Sequence, residues 1–187
     1  MSGITIVFIG FLAICFLLIV IYNTLVRKRN DVENAFGGMD AQLKKRYDLI
    51  PNLVAAVKQY MRHERDLLEK ITALRSQAIN APDAENKVAL DNQIAGAMKQ
   101  LMIAVENYPD LKSNTNFLNL QRTLNEVESQ ISASRRAYNA AVTDYNNSVE
   151  TFPSNVIAGM FDFSRKQVFE IEEVERQNIN VDSLFNS

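Results

Sequence analysis

The single histidine is the natural place to look for chemistry, because histidine is a common catalytic base and metal ligand. His63 is followed by Glu64, but Leu67 stands where a zinc-protease helix would carry its second histidine. A di-iron bundle would need a glutamate three residues before the histidine, and Tyr60 occupies that position. The sequence therefore predicts no metal site and no cofactor at His63.

The single cysteine offers no better start for catalysis. Cys15 lies in an uncharged apolar stretch far from His63, so a Cys-His nucleophile pair is not expected. A lipid-attachment signal is also disfavoured, because Ile14 is bulky where such signals carry a small residue. No glycine-rich phosphate loop is present. We expect that the protein is not an enzyme.

The apolar stretch itself is more informative. Residues 4–26 carry no charged side chain, and Arg27, Lys28 and Arg29 follow at once. A helix of about 23 residues is roughly 34 Å long, enough to cross a hydrocarbon core of about 30 Å. A cleaved signal peptide would carry basic residues before the stretch and small residues after it. The pattern favours a retained single-pass anchor, and the positive-inside rule places the N-terminus outside and the body in the cytoplasm.

Composition restricts the body to a helical domain. After the anchor about 160 residues remain, which is the size of one domain. The chain has only 6 Gly and 4 Pro, and its common residues are good helix formers. A net charge of −2 argues against binding to nucleic acid, whereas the basic cluster beside the anchor favours contact with the lipid bilayer.

Helical periodicity continues through the first half of the body. Apolar residues recur at three- and four-residue intervals from Val32 to Ile71, and the stripe passes over Pro51. Proline predicts either a kink or a turn at this point, and periodicity leaves both open. The sequence breaks at 80–83, and the next helix is predicted from about 83 to 107. Asn114, Thr115 or Asn116 is expected to cap the helix after that.

The segment after this cap has the most regular pattern in the chain. Its seam alternates three and four residues over five heptads, which predicts a helix more than roughly 50 Å long. Beyond Pro153 the helical pattern stops. The seam comprises Phe117, Leu120, Leu124, Val127, Ile131, Ser134, Tyr138, Ala141, Tyr145, Ser148 and Phe152.

A short repeat, Tyr-Asn-x-x-Val, begins at Tyr22, Tyr138 and Tyr145. In one interpretation the tyrosines pack in the core and the amides are exposed. In the other, Asn139 and Asn146 form a polar ladder that fixes helix register or the docking position of a partner.

A charge also falls on the apolar stripe. Glu64 lies on the seam of its segment, and Arg135 and Arg136 flank a seam position of the long helix. An ion pair between these helices is one interpretation, and a glutamate exposed at the edge of the stripe is the other. In both, the role is architectural.

Together these segments resemble the LemA family. The resemblance rests on the stretches at 22–26 and 40–54, on His63-Glu64, and on the motifs at 106–112, 135–139 and 152–153. It implies a bacterial inner-membrane protein with a cytoplasmic bundle, usually of four antiparallel helices, and a turn or strong kink at Pro51. The family has no established catalytic activity, so the resemblance implies no active site. Its members are associated with envelope and membrane quality control and are often encoded near membrane proteases.

The expected fold is all-α, with a transmembrane helix followed by an up-and-down four-helix bundle. The segments are an anchor at 1–26, the bundle at 27–152, and an apolar segment with an irregular tail at 153–187. The expected function is a non-catalytic scaffold or adaptor for a membrane protein complex, with Leu184 and Phe185 in the tail as candidate contacts. The alternative is a self-assembling protein, a homo-oligomer, that organises or remodels the membrane.

Overall fold

The computed structural model describes residues 3–169, which form helices joined by short connections. The helices are α1 (Gly3–Lys58), α2 (Arg65–Ile79), α3 (Ala84–Val105), α4 (Pro109–Lys112), α5 (Thr115–Glu150) and α6 (Ser154–Met160), with a 3₁₀ turn at Arg62–Glu64. No strand occurs in this range, so the predicted all-α class is confirmed.

Helix α1 contains both the anchor and the first helix of the body. The most apolar 18-residue window of the helix has a mean hydropathy of 2.8, and none of it is buried within the protein. A helix of this length and composition can cross a membrane. From Leu25 onward the same helix contributes buried side chains to the body.

Of the two possibilities left open at Pro51, a kink or a turn, the turn does not occur, because α1 continues through Pro51 to Lys58 and the chain reverses only afterwards. Proline lacks the N–H that would donate to the carbonyl of Tyr47. Nε of Arg75, on α2, donates to that carbonyl instead, at 2.6 Å. The helix therefore tolerates the proline because a neighbouring helix satisfies the freed oxygen.

The bundle is antiparallel between α1 and α5. Lys28 pairs with Asp144 near the anchor, and Asn114 donates to the hydroxyl of Tyr60 at 3.4 Å at the opposite end. Helices α2 and α3 form a hairpin beside the half of α1 that is farther from the anchor. Four helices thus meet in the half of the body far from the anchor, and only α1 and α5 extend the full length.

Two clusters of buried side chains follow from this arrangement. The distal core joins residues of α1, α2, α3 and the first half of α5, from Met39 to Ile131. The proximal core lies beside the anchor. Its buried members are Leu25, Val32, Tyr138, Val142, Tyr145, Ile157, Ala158 and Phe163.

The helix caps follow the sequence signals. The Asp83 side chain accepts from the N–H of Asn86, and α3 begins at Ala84. Asn114 accepts from the N–H groups of Asn116 and Phe117, and so caps α5. Each acceptor satisfies N–H groups that have no partner within the helix.

Two predictions about the end of α5 are wrong. Phe152 does not continue the seam, because α5 ends at Glu150 and the Phe152 side chain is 78% exposed. The chain beyond Pro153 is not without helix, since α6 follows at once. Helix α6 has only seven residues, and its buried residues, Ile157 and Ala158, are adjacent. Apolar residues therefore do not recur at helical intervals within it, and periodicity could not predict it.

Helix α6 ends in a turn that sends the chain back along α5. Asp162 has φ of 55°, a left-handed conformation that Asp tolerates better than most residues. The N–H of Phe163 donates to the carbonyl of Ala158 at 3.0 Å, as in a Schellman motif. Phe163 is buried beside Ala158 in the proximal core. Residues 163–169 then run without regular secondary structure.

Candidate functional site

The two heptad-spaced copies of the repeat lie on one face of α5. Tyr138 and Tyr145 are buried in the proximal core, and Asn139 and Asn146 stand beside them. Residues seven apart recur on the same side of a helix, so the two amides face the same neighbour. That neighbour is the segment of residues 163–169, which we call the strap.

Each asparagine forms two hydrogen bonds with the backbone of one strap residue. Asn146 Nδ2 donates to the carbonyl of Lys166 at 2.8 Å, and the N–H of Lys166 donates to Asn146 Oδ1 at 2.9 Å. Asn139 does the same for Phe169, at 2.8 Å and 2.9 Å. The side-chain amide thus replaces the peptide group that a neighbouring strand would offer. We call each such pair an amide clamp.

The spacing of the clamps matches an extended chain. Seven residues of α-helix advance roughly 10 Å, and three residues of extended or polyproline-like chain advance roughly 9–10 Å. Asn139 and Asn146 are one heptad apart, and their partners Phe169 and Lys166 are three residues apart in the opposite direction. The strap therefore runs antiparallel to α5 in a fixed register.

Aromatic contacts reinforce this register. The rings of Tyr138 and Phe169 are stacked, with centroids 4.6 Å apart and an interplanar angle of 17°. Phe36 of α1 packs edge-on against Tyr138 at 6.0 Å. The hydroxyl of Tyr145 donates to the carbonyl of Ser164 at 3.0 Å. Burial raises the pKa of both Tyr138 and Tyr145, so both phenols are neutral at physiological pH.

Charged contacts flank the strap. Arg165 pairs with Glu150 at 2.8 Å, and Lys166 lies 3.9 Å from Glu33 of α1. The guanidinium of Arg29 lies 5.3 Å from the centre of the Phe163 ring, a cation–π distance. The charged groups are exposed, except for Lys166, which is partly buried, so these contacts contribute less to stability than the clamps.

The first copy of the repeat behaves differently. Tyr22 contacts the rings of Phe161 and Phe163 at 4.9 and 5.8 Å, so its ring also packs against the returning chain. Asn23 is exposed, and only its backbone carbonyl accepts a hydrogen bond, from Arg27. Three similar motifs therefore give only two clamps.

A second polar site is buried in the distal core. Arg46 Nη1 lies 2.8 Å from both carboxylate oxygens of Asp91, and Nη2 bonds to Glu128. Arg135 Nη2 donates to Asn92 at 2.9 Å and lies 3.9 Å from Asp91. Burial raises the pKa of Asp91 while Arg46 opposes the rise, so the arginine stabilises the ionised form. This network connects α1, α3 and α5.

Arg135 therefore pairs with α3 and not with Glu64. The antiparallel register explains this, because Asn114 lies level with Tyr60, and Arg135 is 21 residues further along α5. That is a separation of roughly 30 Å from the turn that contains Glu64. Arg136 is exposed and donates to Ser132 on its own helix.

The sequence contained a signal for Arg46 and Asp91 that periodicity reasoning missed. Asp91 lies on the buried face of α3, three residues from both Val88 and Ile94. Arg46 lies on the buried face of α1, three residues after Leu43. A charged residue on an apolar stripe marks a buried pair. The same rule singled out Glu64, which is only partly buried.

Other candidate residues fall outside the site or outside the described range. Leu184 and Phe185 lie beyond residue 169. Within residues 3–169 no group of three or more His, Cys, Asp or Glu side chains is arranged to hold a metal ion. The clamp site presents amides, phenols and stacked rings, which are groups for recognising a peptide backbone.

Comparison with known proteins identifies the family. The sequence model of the LemA family matches residues 35–183 of the chain. The LemA protein of Metamycoplasma hominis is 30% identical over 165 residues, which cover 88% of this chain and 75% of that protein. The chain belongs to the LemA family. Its apolar N-terminal helix makes it a membrane-associated member.

More distant relatives carry a different name. The chain is 24% identical over 175 residues to magnetosome protein MamQ 2 of Paramagnetospirillum magneticum, with 80% of this chain covered. It is 21% identical to magnetosome protein MamQ of Magnetospirillum gryphiswaldense, with 79% covered. The aligned region spans 64% of each magnetosome protein's length, which is less than two thirds.

Proposed function

We propose that this LemA-family protein is a non-catalytic scaffold that displays its C-terminal tail to a membrane or juxtamembrane protein partner, such as a membrane protease or quality-control complex. It is held in the bacterial inner membrane by α1, with the N-terminus outside and the body in the cytoplasm. The observation that carries the proposal is the pair of amide clamps. Because they fix the backbone of Lys166 and Phe169, the chain that follows Phe169 starts from a defined point on α5.

The topology is testable separately. Arg27, Lys28 and Arg29 follow the span directly, and such charges favour retention on the cytoplasmic side. A reporter that is active only outside the cytoplasm, fused after Ser187, should be silent. The matched reporter that is active only inside should work. The opposite pattern would place the body outside and remove cytoplasmic partners from the proposal.

The partner experiment separates the tail from its support. Crosslinking in membranes followed by recovery of the full-length chain identifies the bound proteins. Deletion from Gln177 onward should abolish their recovery while the thermal stability of the body stays unchanged. Exchange of both Leu184 and Phe185 for Ala tests the candidate contacts more finely. Recovery of the same partners by the truncated chain would move binding to the bundle or the span.

The clamps supply a matched pair of variants. Asn146→Ala should weaken partner recovery, because the tail then starts from a mobile segment. Asn147→Ala changes the same residue type one position away, where the side chain is exposed, and should leave recovery unchanged. Equal recovery by both variants would show that the clamps do not serve the display of the tail.

The alternative function is a self-assembling protein that organises or remodels the membrane. Two observations favour it: the likeness to the magnetosome proteins and the exposed apolar side chains around α6. Sedimentation of the purified protein in detergent distinguishes the two, because the scaffold is expected as a monomer and the alternative as an oligomer.

A further inference from the structure

The end of α6 carries an unusual concentration of exposed apolar side chains. Outside the anchor, the described residues include eight large hydrophobic side chains that are exposed, and four of them fall between 152 and 161. They are Phe152, Val156, Met160 and Phe161, which are 78%, 53%, 69% and 55% exposed. We call these four the α6 patch. Exposed apolar clusters of this kind mark contact surfaces.

The buried side of α6 fixes where the patch lies. Ile157 and Ala158 pack in the proximal core together with Leu25, which is fully buried. Leu25 precedes Arg27 by two residues and belongs to the uncharged run of the anchor. Helix α6 therefore shares a buried core with the last turn of the uncharged run, and this core also includes Val32 further along α1.

An aromatic contact places the patch at the same depth. The ring of Phe161 meets the ring of Tyr22 at 4.9 Å. Tyr22 lies five residues before Arg27, which is roughly 7 Å further into the span. Aromatic rings at this level of a spanning helix occupy the boundary between hydrocarbon and headgroups. The patch is thus continuous with the lipid-facing surface of the anchor.

The charges around the patch fit a membrane surface. Asp162 is the one charged residue from 151 to 163, and it lies in the turn where the chain leaves α6. Arg27 and Arg29 are exposed on the neighbouring turns of α1. Basic side chains at this level are attracted to anionic headgroups. Helices that lie in a membrane interface likewise combine an apolar face with neighbouring basic side chains.

We infer that α6 and the residues flanking it insert into the lipid leaflet that faces the folded domain and form a second membrane contact beside the spanning helix. A single spanning helix leaves the body free to tilt and rotate. A second contact at the base fixes the axis of α1 and α5 relative to the bilayer. The inference is independent of any protein partner and of which side of the membrane the body occupies.

The absence of tryptophan from the chain provides the test. Met160→Trp introduces a single fluorophore on the patch. Ile103→Trp is the matched control, because Ile103 is similarly exposed, at 64%, and lies near the end of α3 that is far from the anchor. The full-length protein is reconstituted in phosphatidylcholine–phosphatidylglycerol vesicles whose acyl chains carry bromine, and quenching by bromine and by aqueous iodide is measured.

The inference predicts that bromolipid quenches Met160→Trp strongly and iodide quenches it weakly, with the reverse for Ile103→Trp. Iodide quenching of both variants to the same extent would show that the patch is in water and would overturn the inference. Protection of Met160→Trp from both quenchers would also overturn it, because a second protein copy would then cover the patch. Phe161→Trp repeats the measurement if Met160→Trp unfolds the body.

Discussion

The two halves of the helical body are stabilised in different ways. In the distal half four helices surround a core that includes a buried charge network of Arg46 and Asp91. In the proximal half only α1 and α5 are long helices, and α6 and the strap cover the remaining side. A helix satisfies its own backbone groups, whereas an extended segment needs partners from outside. Asn139 and Asn146 supply those partners.

The difference teaches what each half can change. Helices packed through interlocking side chains and a buried ion pair separate only at a high cost in free energy. A strap held by four clamp hydrogen bonds, the hydrogen bond from Tyr145 to Ser164 and a stacked ring can detach at a lower cost in free energy. We therefore expect the proximal half to open locally while the distal half stays folded.

The largest effect should come from breaking the buried ion pair. Arg46→Met leaves the Asp91 carboxylate, whose side chain is only 1% exposed, without its main partner. Removal of one member of a buried pair typically costs about 3–5 kcal/mol of unfolding free energy. Urea unfolding of the full-length chain in detergent, followed by circular dichroism, measures this loss.

The control is the double variant Arg46→Met with Asp91→Leu, which should recover most of the lost stability because it removes the buried carboxylate, while Glu128, which also loses Arg46, is largely exposed to water. Arg65→Met removes an exposed pair with Glu69 and should leave the unfolding midpoint unchanged. An equally small effect of Arg46→Met would show that the distal half does not depend on its charge network.

A substitution in the proximal core should lower the free energy of unfolding by less than Arg46→Met does. Ala141 is half-buried against that core, and a larger side chain at a packed site typically costs about 1–3 kcal/mol. Ala141→Leu should lower the melting temperature, while Ala140→Leu, at an exposed neighbouring position, should not. Identical melting of both variants would show that this face of α5 is open, and would favour self-association through it.

Loss of one clamp should act only on the strap. Asn146→Ala removes two hydrogen bonds from Lys166, which together contribute about 1–3 kcal/mol. We expect faster amide hydrogen exchange across the strap, with unchanged exchange in α2 and α3. Asn147→Ala should leave the strap as it is. Faster exchange throughout the protein would mean that the two halves unfold as one unit.

A smaller effect is expected from removing the hydrogen bond between Arg75 and the carbonyl of Tyr47, which Pro51 leaves without a partner in its own helix. Arg75→Met removes the donor to Tyr47 and should cost about 1.5 kcal/mol, the lower end for hydrogen bonds to charged groups. In a Pro51→Ala background the helix supplies its own N–H, so the same change should cost less. The two costs are compared by urea unfolding. Equal costs would show that Arg75 acts through packing alone.

The smallest effect is expected at the hydroxyl of Tyr47. It is buried and has no hydrogen-bond partner among the described residues, so Tyr47→Phe should be neutral or stabilise by up to about 1 kcal/mol. Burial raises the pKa of Tyr47 above its unfolded value of about 10. Its contribution to stability is therefore full below about pH 10 and is lost as the pH rises further. The Phe variant should lack that part of the alkaline loss in thermal melts.

Much of the fold followed from local patterns. The uncharged run before Arg27 predicted a helix able to span a membrane, and the heptads from Phe117 predicted α5. Asp83 and Asn114 marked helix starts because a short polar side chain can satisfy free N–H groups of the first turn. These signals are readable because each depends on residues within a few positions of one another.

The candidate site was only partly predictable. The repeat singled out Asn139 and Asn146, and a docking role was one of two interpretations left open. That the docked chain is the protein's own strap depends on Asp162 turning the chain back along α5. Helix α6 was missed because seven residues do not establish a period. Residues 170–187 lie outside the described range, so the role of Leu184 and Phe185 stays a prediction.

The sequence by itself determined that the long segments are helical, where the apolar anchor ends and which polar residues stand on apolar stripes. The tertiary structure decided which of those polar residues meet. Arg135 contacts Asn92 and lies near Asp91. It does not meet Glu64, because the register of α5 against α1 places Arg135 and Glu64 far apart. Pro51 lies inside a continuous helix because Arg75 from another helix reaches the freed carbonyl. Such pairings join residues distant in the chain, and periodicity along one helix carries no information about them.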